Sequence, residues 1–306
     1  MVPDGFLVPF ASTGGLYLIS ASCGSGRYDG ESPVELTTPK NGWFYHMVYW
    51  RDVNNDGKLD IITARATKPL IGSAKGQLLW LEQPSQNPIQ SVPWTEHVIA
   101  DGPDVGFTVA DLQDNDGQFE VFAAEFFSQK LSLLIINDKD ASVNSTRTID
   151  DTIGPAYYVS VEDLNADGSL ELLVTNHVAK EGGSVYAYEI PGNIIKGDFK
   201  RHVLATDFPV TEGGSNQAAP GFARAFFPHK NYKGKPYITV AGDGSQKGYL
   251  LYPTGADFQY NKTVMVSSSG VVGYIAVDDV IGEDGWAEIF VPDYDDSKLY
   301  AYTFAP

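Results

Sequence analysis

The sequence predicts an all-β fold, a β-propeller of four-stranded blades, with six blades favoured and seven as the alternative. A phrase repeats along the chain: a hydrophobic run, an acidic loop with Asp-Gly, and a second hydrophobic run. Apolar and polar residues alternate in these runs, as in strands, and no stretch of the 306 residues has sustained helical periodicity. Repeats of this kind are typical of propellers. We therefore expect a single propeller domain spanning residues 1–306.

The repeated phrase predicts the first two strands of each blade, A and B, joined by the acidic loop. It occurs with its acids four times, as VYWRDVNNDGKLDIITAR, FTVADLQDNDGQFEVFAAE, VSVEDLNADGSLELLVTN and IAVDDVIGEDGWAEIFVPD. A fifth copy, ARAFFPHKNYKGKPYITVAG, keeps the frame but carries His229, Asn231 and Lys233 instead of acids. The glycines of the loops, which mark the repeat, are Gly57, Gly117, Gly168, Gly234 and Gly285.

The third copy predicts a complete blade, with strands A to D at 157–162, 170–175, 184–190 and 199–204. Strand C recurs as QLLWLEQP, SVYAYEIP and KLYAYTFAP, and strand D as WTEHVIAD and FKRHVLATD. His97 and His202 occupy the same place in strand D. A residue type that repeats with the scaffold is best interpreted as structural.

The two ends of the chain predict a shared blade. Residues 5–22 are expected to supply strands B and C of a sixth unit, and 33–38 its strand D. This unit lacks an obvious strand A, and the last unit lacks a strand D after Phe304. We therefore expect the N- and C-terminal segments to close the ring.

Composition limits the partners. With 21 Lys and Arg against 39 Asp and Glu, the net charge is -18, which opposes binding to nucleic acid. Cys23 is the only cysteine, so no intramolecular disulfide forms, and a small buried residue is the favoured interpretation. No basic segment followed by a long apolar run is seen near the N-terminus, which predicts no membrane partner. The protein is expected in the cytoplasm if this N-terminus is native, and outside the cell if a signal peptide was removed.

The acidic loops have the oxygen spacing of a Ca²⁺ loop. Asp and Asn at alternate positions, followed by Gly and a later acid, resemble the first part of an EF-hand loop. The sequence therefore predicts a structural Ca²⁺, or Mg²⁺ in its place, and no organic cofactor. The other interpretation is that Asp-Asn-Gly turns form without metal. The predicted ligands are Asp52, Asn54, Asp56 and Asp60; Asp111, Asp114, Asp116 and Glu120; Asp163, Asn165, Asp167 and Glu171; and Asp278 or Asp279 with Asp284 and Glu288.

The phrase resembles the FG-GAP/VCBS-type propeller repeats of integrin α-chains and of many extracellular or fungal proteins. This resemblance covers most of the chain and implies the propeller and its cation loops, but no particular function. The WTEHVI and LLWLEQP segments also resemble the propeller domains of aldos-2-ulose dehydratase-type proteins. That second resemblance implies dehydration or isomerisation of a small molecule.

Candidate functional residues lie at the ends of the strands opposite the acidic loops. Aligned on the loop glycine, the B strands end in residues that differ sharply between blades, whereas the strand bodies do not. The starts of the A strands add aromatic residues, so an aromatic-walled pocket for a small molecule or a sugar is expected. The proposed substrate-binding residues are Trp43, Tyr45, Phe107, Tyr157, Tyr158, Phe222, Arg224, Tyr274 and Tyr294.

Two histidines are the best acid–base candidates. His46 and His177 titrate near neutral pH in their ordinary state. Glu125, Asp243 or Asp293 are expected to orient a histidine or to share the proton transfer. Arg65 or Arg224 would hold a carboxylate or stabilise an enolate-like oxygen. The other interpretation of each histidine is a hydrogen-bonded structural residue.

These residues predict a cofactor-independent enzyme for a small organic metabolite: a lyase, dehydratase or isomerase, or a Diels–Alder-type cyclase of secondary metabolism. The alternative is a carbohydrate-binding, lectin-like or adhesion propeller without catalysis. The sequence has no GxSxG, P-loop, GxGxxG or HExxH motif, so it does not support a hydrolase triad or nucleotide chemistry. The expected partner is a small molecule or sugar, and the oligomeric state is left open.

Overall fold

The computed structural model describes residues 1–4, 13–19, 32–69, 71–104, 106–113, 116–211 and 218–306. These residues form 26 strands and no helix, and so no helix in the described part of the chain is long and apolar enough to cross a membrane. Cys23, Asp114 and residues 5–12 of the predicted strand B lie outside the described residues. The chain divides into two compact units, Met1–Thr148 and Ile149–Pro306.

The first unit contains three larger sheets and one small pair. The sheets have the strand orders β1-β3-β4, β6-β7-β8-β9 and β10-β11-β12-β13, and β2 pairs with β5. The strands are β1 Val2–Pro3, β2 Thr13–Gly14, β3 Leu16–Leu18, β4 Val34–Glu35, β5 Lys40–Asn41, β6 Phe44–Arg51, β7 Asp60–Thr67, β8 Lys75–Glu82, β9 Thr95–Asp101, β10 Gly106–Ala110, β11 Gln118–Glu125, β12 Lys130–Asn137 and β13 Val143–Asp150, which crosses the unit boundary.

The second unit repeats this plan. Its sheets have the orders β14-β15-β17-β18, β20-β21-β22-β23 and β24-β25-β26, and β16 pairs with β19. The strands are β14 Ala156–Glu162, β15 Glu171–Asn176, β16 Val178–Ala179, β17 Val185–Glu189, β18 Lys200–Ala205, β19 Ala218–Ala219, β20 Ala223–Phe226, β21 Tyr237–Ala241, β22 Lys247–Pro253, β23 Tyr260–Ser267, β24 Ala276–Asp278, β25 Glu288–Asp293 and β26 Lys298–Thr303.

The predicted fold class is confirmed: the six larger sheets, each a meander of antiparallel strands, make the fold a six-bladed β-propeller with four-stranded blades. Within the described residues, the first and last of these sheets show three strands. The predicted strands of the third repeat agree with β14, β15, β17 and β18 to within one residue. One detail differs from the prediction: the strand beside β3 in the first sheet is Val2–Pro3, which lies N-terminal to the residues expected there.

Inner strands such as β7, β11 and β15 are buried on both faces, which explains their nearly continuous apolar character, whereas the outer strands β9, β13, β18, β23 and β26 mix exposed and partly buried residues. In β7, Ile62 packs with Leu78 and with Phe119 of the neighbouring sheet, whereas Ile61 packs on the other face with Leu79 and Leu16. The second unit has the same arrangement, with its own apolar clusters between neighbouring sheets. Because the strand bodies are committed to packing, polar side chains able to do chemistry are found at strand ends and in turns.

Candidate functional site

The acidic loops are tight turns closed by their own side chains. We name them loops 1 to 4, residues 52–60, 111–120, 163–171 and 279–288; residues 114 and 115 of loop 2 lie outside the described part of the chain. In loop 1, Oδ2 of Asp52 accepts a hydrogen bond from the amide of Gly57 at 2.9 Å, and in loop 4 Asp279 does the same with Gly285 at 2.7 Å. The first acid of loop 4 is therefore Asp279 and not Asp278.

The last acid of each loop is buried and accepts hydrogen bonds from backbone amides. Oδ2 of Asp60 accepts the amide of Val53 at 3.0 Å, while its Oδ1 accepts the amide of Gln83 at 2.8 Å. The equivalent carboxylates are also buried and accept the amide of the residue after the first loop position. They are Glu120 with Leu112, Glu171 with Leu164, and Glu288 with Val280. Burial raises the pKa of Asp60 and of Glu120, and it raises the pKa of Glu171 to about 7.

The described residues of the loops show no ready-made group of cation ligands. Among the described residues, no three His, Cys, Asp or Glu side chains are arranged to hold a metal ion. In loop 1, Lys58 donates to both oxygens of Asp56, one bond coming from its amide and one from its ammonium. In loop 4, Oδ1 of Asp279 is buried and has no hydrogen-bond partner among the described residues, as expected of an oxygen that binds a cation. Calcium therefore stays a prediction, and loop 4 provides the best motivation for it.

Two of the predicted catalytic residues meet in the second unit. His177 directly follows β15, and Asp243 follows β21 in a turn where its φ is 45°. Nδ1 of His177 lies 3.7 Å from Oδ2 of Asp243 and 2.9 Å from the carbonyl oxygen of Pro220. Both side chains are only 6% exposed. The result is a buried imidazole–carboxylate pair, which we call the His177–Asp243 pair.

The hydrogen bond to Pro220 sets the proton position on the imidazole. A backbone carbonyl only accepts, so Nδ1 of His177 carries a proton, and in the neutral ring the lone pair lies on Nε2. Burial raises the pKa of Asp243 to about 7, so this carboxyl also exchanges its proton near neutral pH. The pair thus contains an imidazole able to accept a proton at Nε2 and a carboxyl whose proton exchanges near neutral pH.

A close backbone approach fixes the carboxylate. A Cβ added at Gly221 would lie 2.3 Å from Oδ2 of Asp243, so any side chain at 221 would displace the carboxylate. The amide of Asp243 also donates to the carbonyl of Val272 at 3.0 Å. Val272 bridges to Asp293 as well, which places a second predicted acid beside the same segment.

A row of aromatic side chains, which we call the aromatic surface, extends from the buried His177–Asp243 pair to the exposed Tyr274. The ring of Tyr157 stacks on His177 at 4.5 Å, and Phe222 contacts the rings of Tyr157, Tyr158 and Tyr274 at 5.2, 5.3 and 5.5 Å. Tyr274 is 43% exposed. Burial and the nearby Asp243 raise the pKa of Tyr157, so its phenol stays protonated. The cluster is therefore a set of apolar faces above a polar base.

The same surface carries a cationic group. Nη1 of Arg224 lies 3.3 Å from the hydroxyl of Tyr274, and its side chain is half-buried. A guanidinium beside a phenol is a suitable pair of donors for a carbonyl or carboxylate oxygen. Of the predicted residues, His177, Asp243, Tyr157, Tyr158, Phe222, Arg224 and Tyr274 are thus brought together in one cluster.

β-Bulges shape the starts of two A strands. The register of β14 shifts between Ala156 and Tyr158, so Tyr157 is the extra residue, and β6 shifts in the same way around His46. A bulge bends the strand and redirects a side chain, and bulges are common beside active sites. Nothing in the sequence pattern indicates these bulges.

Several predicted residues of the first unit are used internally. Arg65 is 2% exposed and donates to Glu96 at 2.6 Å, to Tyr45 at 3.1 Å and to Gln77 at 3.0 Å. Tyr45 and Phe107 are themselves fully buried in the core. Their burial disfavours contact between these side chains and a substrate, because almost none of their surface is accessible to solvent.

The remaining predicted residues have separate environments. Glu125 accepts a hydrogen bond from Ser132 and pairs with Lys130 at 3.4 Å. Oδ1 of Asp293 accepts the hydroxyl of Ser268 at 2.6 Å, and Tyr294 is 81% exposed.

A cleft of about 600 Å³ in the first unit was not anticipated by sequence reasoning as a distinct site. Trp43 and Glu125 line it, together with Gln77 and Lys130, which begin their C strands or lie near their starts. Variation between repeats at the A and B strands predicted site residues only in those strands. The cleft residues of the C strands, Gln77 and Lys130, were therefore missed. Polar residues that interrupt the apolar start of a C strand are the signal that would have indicated them.

Comparison with known proteins places the chain in no established family. No family model matches, and no curated protein matches. Solved structures that resemble it are the Dos1 propeller (12% identity, TM-score 0.46, 96% of this chain and 62% of that chain) and a mutant of the Synechocystis apocarotenoid oxygenase (11% identity, TM-score 0.45, 91% and 65%). The chain thus spans less than two thirds of each of these proteins, and neither likeness carries an argument about the site.

Proposed function

We propose that the protein is an enzyme that transfers a proton on a small organic molecule, with the His177–Asp243 pair as the acid–base group. The observation that carries this proposal is the burial of two titratable groups 3.7 Å apart at the base of an aromatic surface. Burial of a carboxylate costs stability and raises its pKa, and carboxylates with a strongly raised pKa are common in active sites, which supports a chemical role.

The proposed reaction class is elimination or isomerisation next to a carbonyl group. Nε2 of His177 would accept the proton from carbon, and Asp243 would stabilise the imidazolium that forms. The imidazolium would then return the proton to another carbon in an isomerisation, or to the departing hydroxyl group, which leaves as water, in an elimination. Arg224 and Tyr274 would hold the carbonyl oxygen as negative charge develops on it. Phe222 would position the apolar part of the substrate, because its ring contacts three tyrosines of the cluster.

A second candidate is a cyclase that orients an unsaturated substrate without proton transfer. The aromatic surface around Phe222 favours this reading, since flat apolar faces can hold a folded substrate in a reactive conformation. The two candidates differ in their dependence on His177. A cyclase of this kind would lose rate when Phe222 is replaced and would tolerate loss of the imidazole.

Exchange of carbon-bound protons with solvent tests the proposed proton transfer. We expect the wild type, incubated in D₂O with a panel of hydroxy-ketones, sugar lactones and phenolic ketones, to catalyse deuterium incorporation or loss of water in one of these compounds, followed by NMR. His177→Gln should lower that rate by about 10²–10⁴-fold. The matched control is His202→Gln in the same unit, because His202 bonds Glu189 and stacks on Phe258 outside the cluster. Equal rates for wild type and His177→Gln would overturn the proposal.

We also propose a structural Ca²⁺ at loop 4, held in part by Asp279. Replacing EDTA with Ca²⁺ is expected to raise the melting temperature by about 2–5 °C, because an ion that binds only the folded state stabilises it. Asp279→Ala should abolish this shift, whereas Asp198→Ala, at an exposed acid of the same unit, should keep it. A melting temperature that does not respond to Ca²⁺ would identify the loops as hydrogen-bonded turns alone.

A further inference from the structure

We infer that the cleft of the first unit is a binding site for a neutral carbohydrate, separate from the proposed proton-transfer site. The cleft holds about 600 Å³, within the range of small-molecule sites. A second chamber of about 270 Å³ adjoins it and shares Asp101, Glu125 and Lys130 with it. A ligand that fills both chambers would therefore pass directly over Glu125, which suits a chain of two or more sugar rings.

Glu125 is the central polar group of the cleft. It is 7% exposed, and its Oε1 is occupied by Ser132 and Lys130. Its Oε2 lies 3.3 Å from the point where a Cβ at Gly102 would be, and both residues line the cleft, so a side chain at 102 would crowd this oxygen and the glycine leaves room beside it. A buried carboxylate oxygen held in one direction is a strong acceptor for ligand hydroxyl groups.

Trp43 supplies an aromatic face at the same site. Its indole is half-buried, and the guanidinium of Arg65 lies 5.3 Å from the ring centroid. Arg65 is in turn held by Gln77, whose side chain also lines the cleft. The contact with Arg65 limits the motion of the ring, and an ordered aromatic face can stack on the apolar face of a sugar ring at little entropic cost.

The charges of the cleft favour a neutral ligand over an anionic one. Lys75 and Lys130 are balanced by Asp101 and Glu125. A further acid in the lining, Asp104, whose carboxylate accepts the amides of Phe126, Phe127 and Ser128, adds one negative charge and so further disfavours an anion. Hydroxyl groups, which both donate and accept, match such a mixed lining better than a single charged group does.

Titration with defined sugars tests the inference. Maltose, cellobiose and chitobiose are the probes, with galacturonic acid as the anionic comparison, and binding is measured by calorimetry and by tryptophan fluorescence. We expect at least one neutral disaccharide to bind and galacturonic acid to bind more weakly. Trp43→Ala and Glu125→Gln should each weaken that binding about tenfold or more.

The matched control is Trp50→Ala, at a 43% exposed tryptophan of β6, which should leave the affinity unchanged. His177→Gln should also leave it unchanged, so failure of the proton-transfer proposal would not affect this result. The inference is overturned if none of the neutral disaccharides binds, or if the sugar that binds is unaffected by both Trp43→Ala and Glu125→Gln. It is equally overturned if galacturonic acid binds better than the neutral sugars.

Discussion

Asp60→Ala is expected to lower the free energy of unfolding by about 2–5 kcal/mol. The substitution leaves two backbone amides, those of Val53 and Gln83, without their acceptor, and a buried donor that loses its partner costs about 1–3 kcal/mol. The free energy of unfolding of Asp60→Asn should lie between those of the wild type and Asp60→Ala. The asparagine side chain has one acceptor oxygen and one donor nitrogen, so it can accept only one of the two hydrogen bonds. Urea unfolding of the whole chain, compared by midpoint, measures the effect.

The control for this prediction separates a backbone clamp from a metal site. Asp56→Ala removes an exposed carboxylate of the same loop, whose bonds are to Lys58, and it should lower the free energy of unfolding far less than Asp60→Ala does, because solvent screens an exposed ion pair. If a cation bound by the whole loop stabilised the fold, Asp56 and Asp60 would act together and both variants would lose similar stability. Similar losses of stability in the two variants would therefore contradict the proposal that Asp60 stabilises the fold through its hydrogen bonds to the backbone.

The comparison of these two acids shows why the loop was only partly predictable. The spacing of Asp52, Asn54 and Asp56 correctly predicted a tight turn ending at Gly57, since side-chain to backbone bonds within a few residues follow from local sequence. The role of Asp60 depends on burial, and on Gln83 beyond the next strand. The spacing of the sequence predicts Asp60 only as a further oxygen ligand of a cation. The packed sheet shows that its side chain is buried.

Arg65 and the His177–Asp243 pair show the same limit for the site. The variable ends of the B strands identified all three residues as candidates, because scaffold positions repeat and these do not. What each residue does depends on partners distant in sequence: Glu96 and Gln77 for Arg65, and Pro220 for His177. The aromatic cluster was anticipated because A-strand starts lie next to one another in this fold class, whereas the bulge at Tyr157 was not.

Asp243→Asn is expected to stabilise the protein at pH 8 while removing the proposed activity. The folded pKa of about 7 is above the ordinary value of 3.8, so the native state binds the proton more tightly than the unfolded state. The stability contributed by this group is fully present below pH 3.8 and is lost as the pH rises to about 7. Between pH 5 and pH 8 the wild type should therefore lose about 2–3 kcal/mol relative to the asparagine variant, which does not titrate.

The expected result distinguishes a catalytic group from a structural one. Asparagine keeps the shape of the side chain and tolerates the positive φ at 243, so the variant should fold. His177 and Tyr157 are the titratable neighbours, and an imidazolium 3.7 Å away would reduce the pH dependence at its acidic end. Measuring the effect of Asp243→Asn on the free energy of unfolding in the His177→Gln background isolates the influence of the imidazolium. Asp198→Asn, at an exposed acid, should show no pH-dependent gain in stability.

If Asp243 had a structural role, its replacement would lower the stability of the protein at every pH. Replacing a carboxylate that is kept ionisable in an apolar environment for chemistry should instead have the opposite effect: the variant becomes more stable than the wild type as the pH rises through 7, and it loses the activity. A pH-independent difference between Asp243→Asn and wild type would show that burial does not perturb this group. The proposed acid–base role of the His177–Asp243 pair would then lose its electrostatic basis, because an ordinary, ionised Asp243 would have no tuned pKa to share with the imidazole.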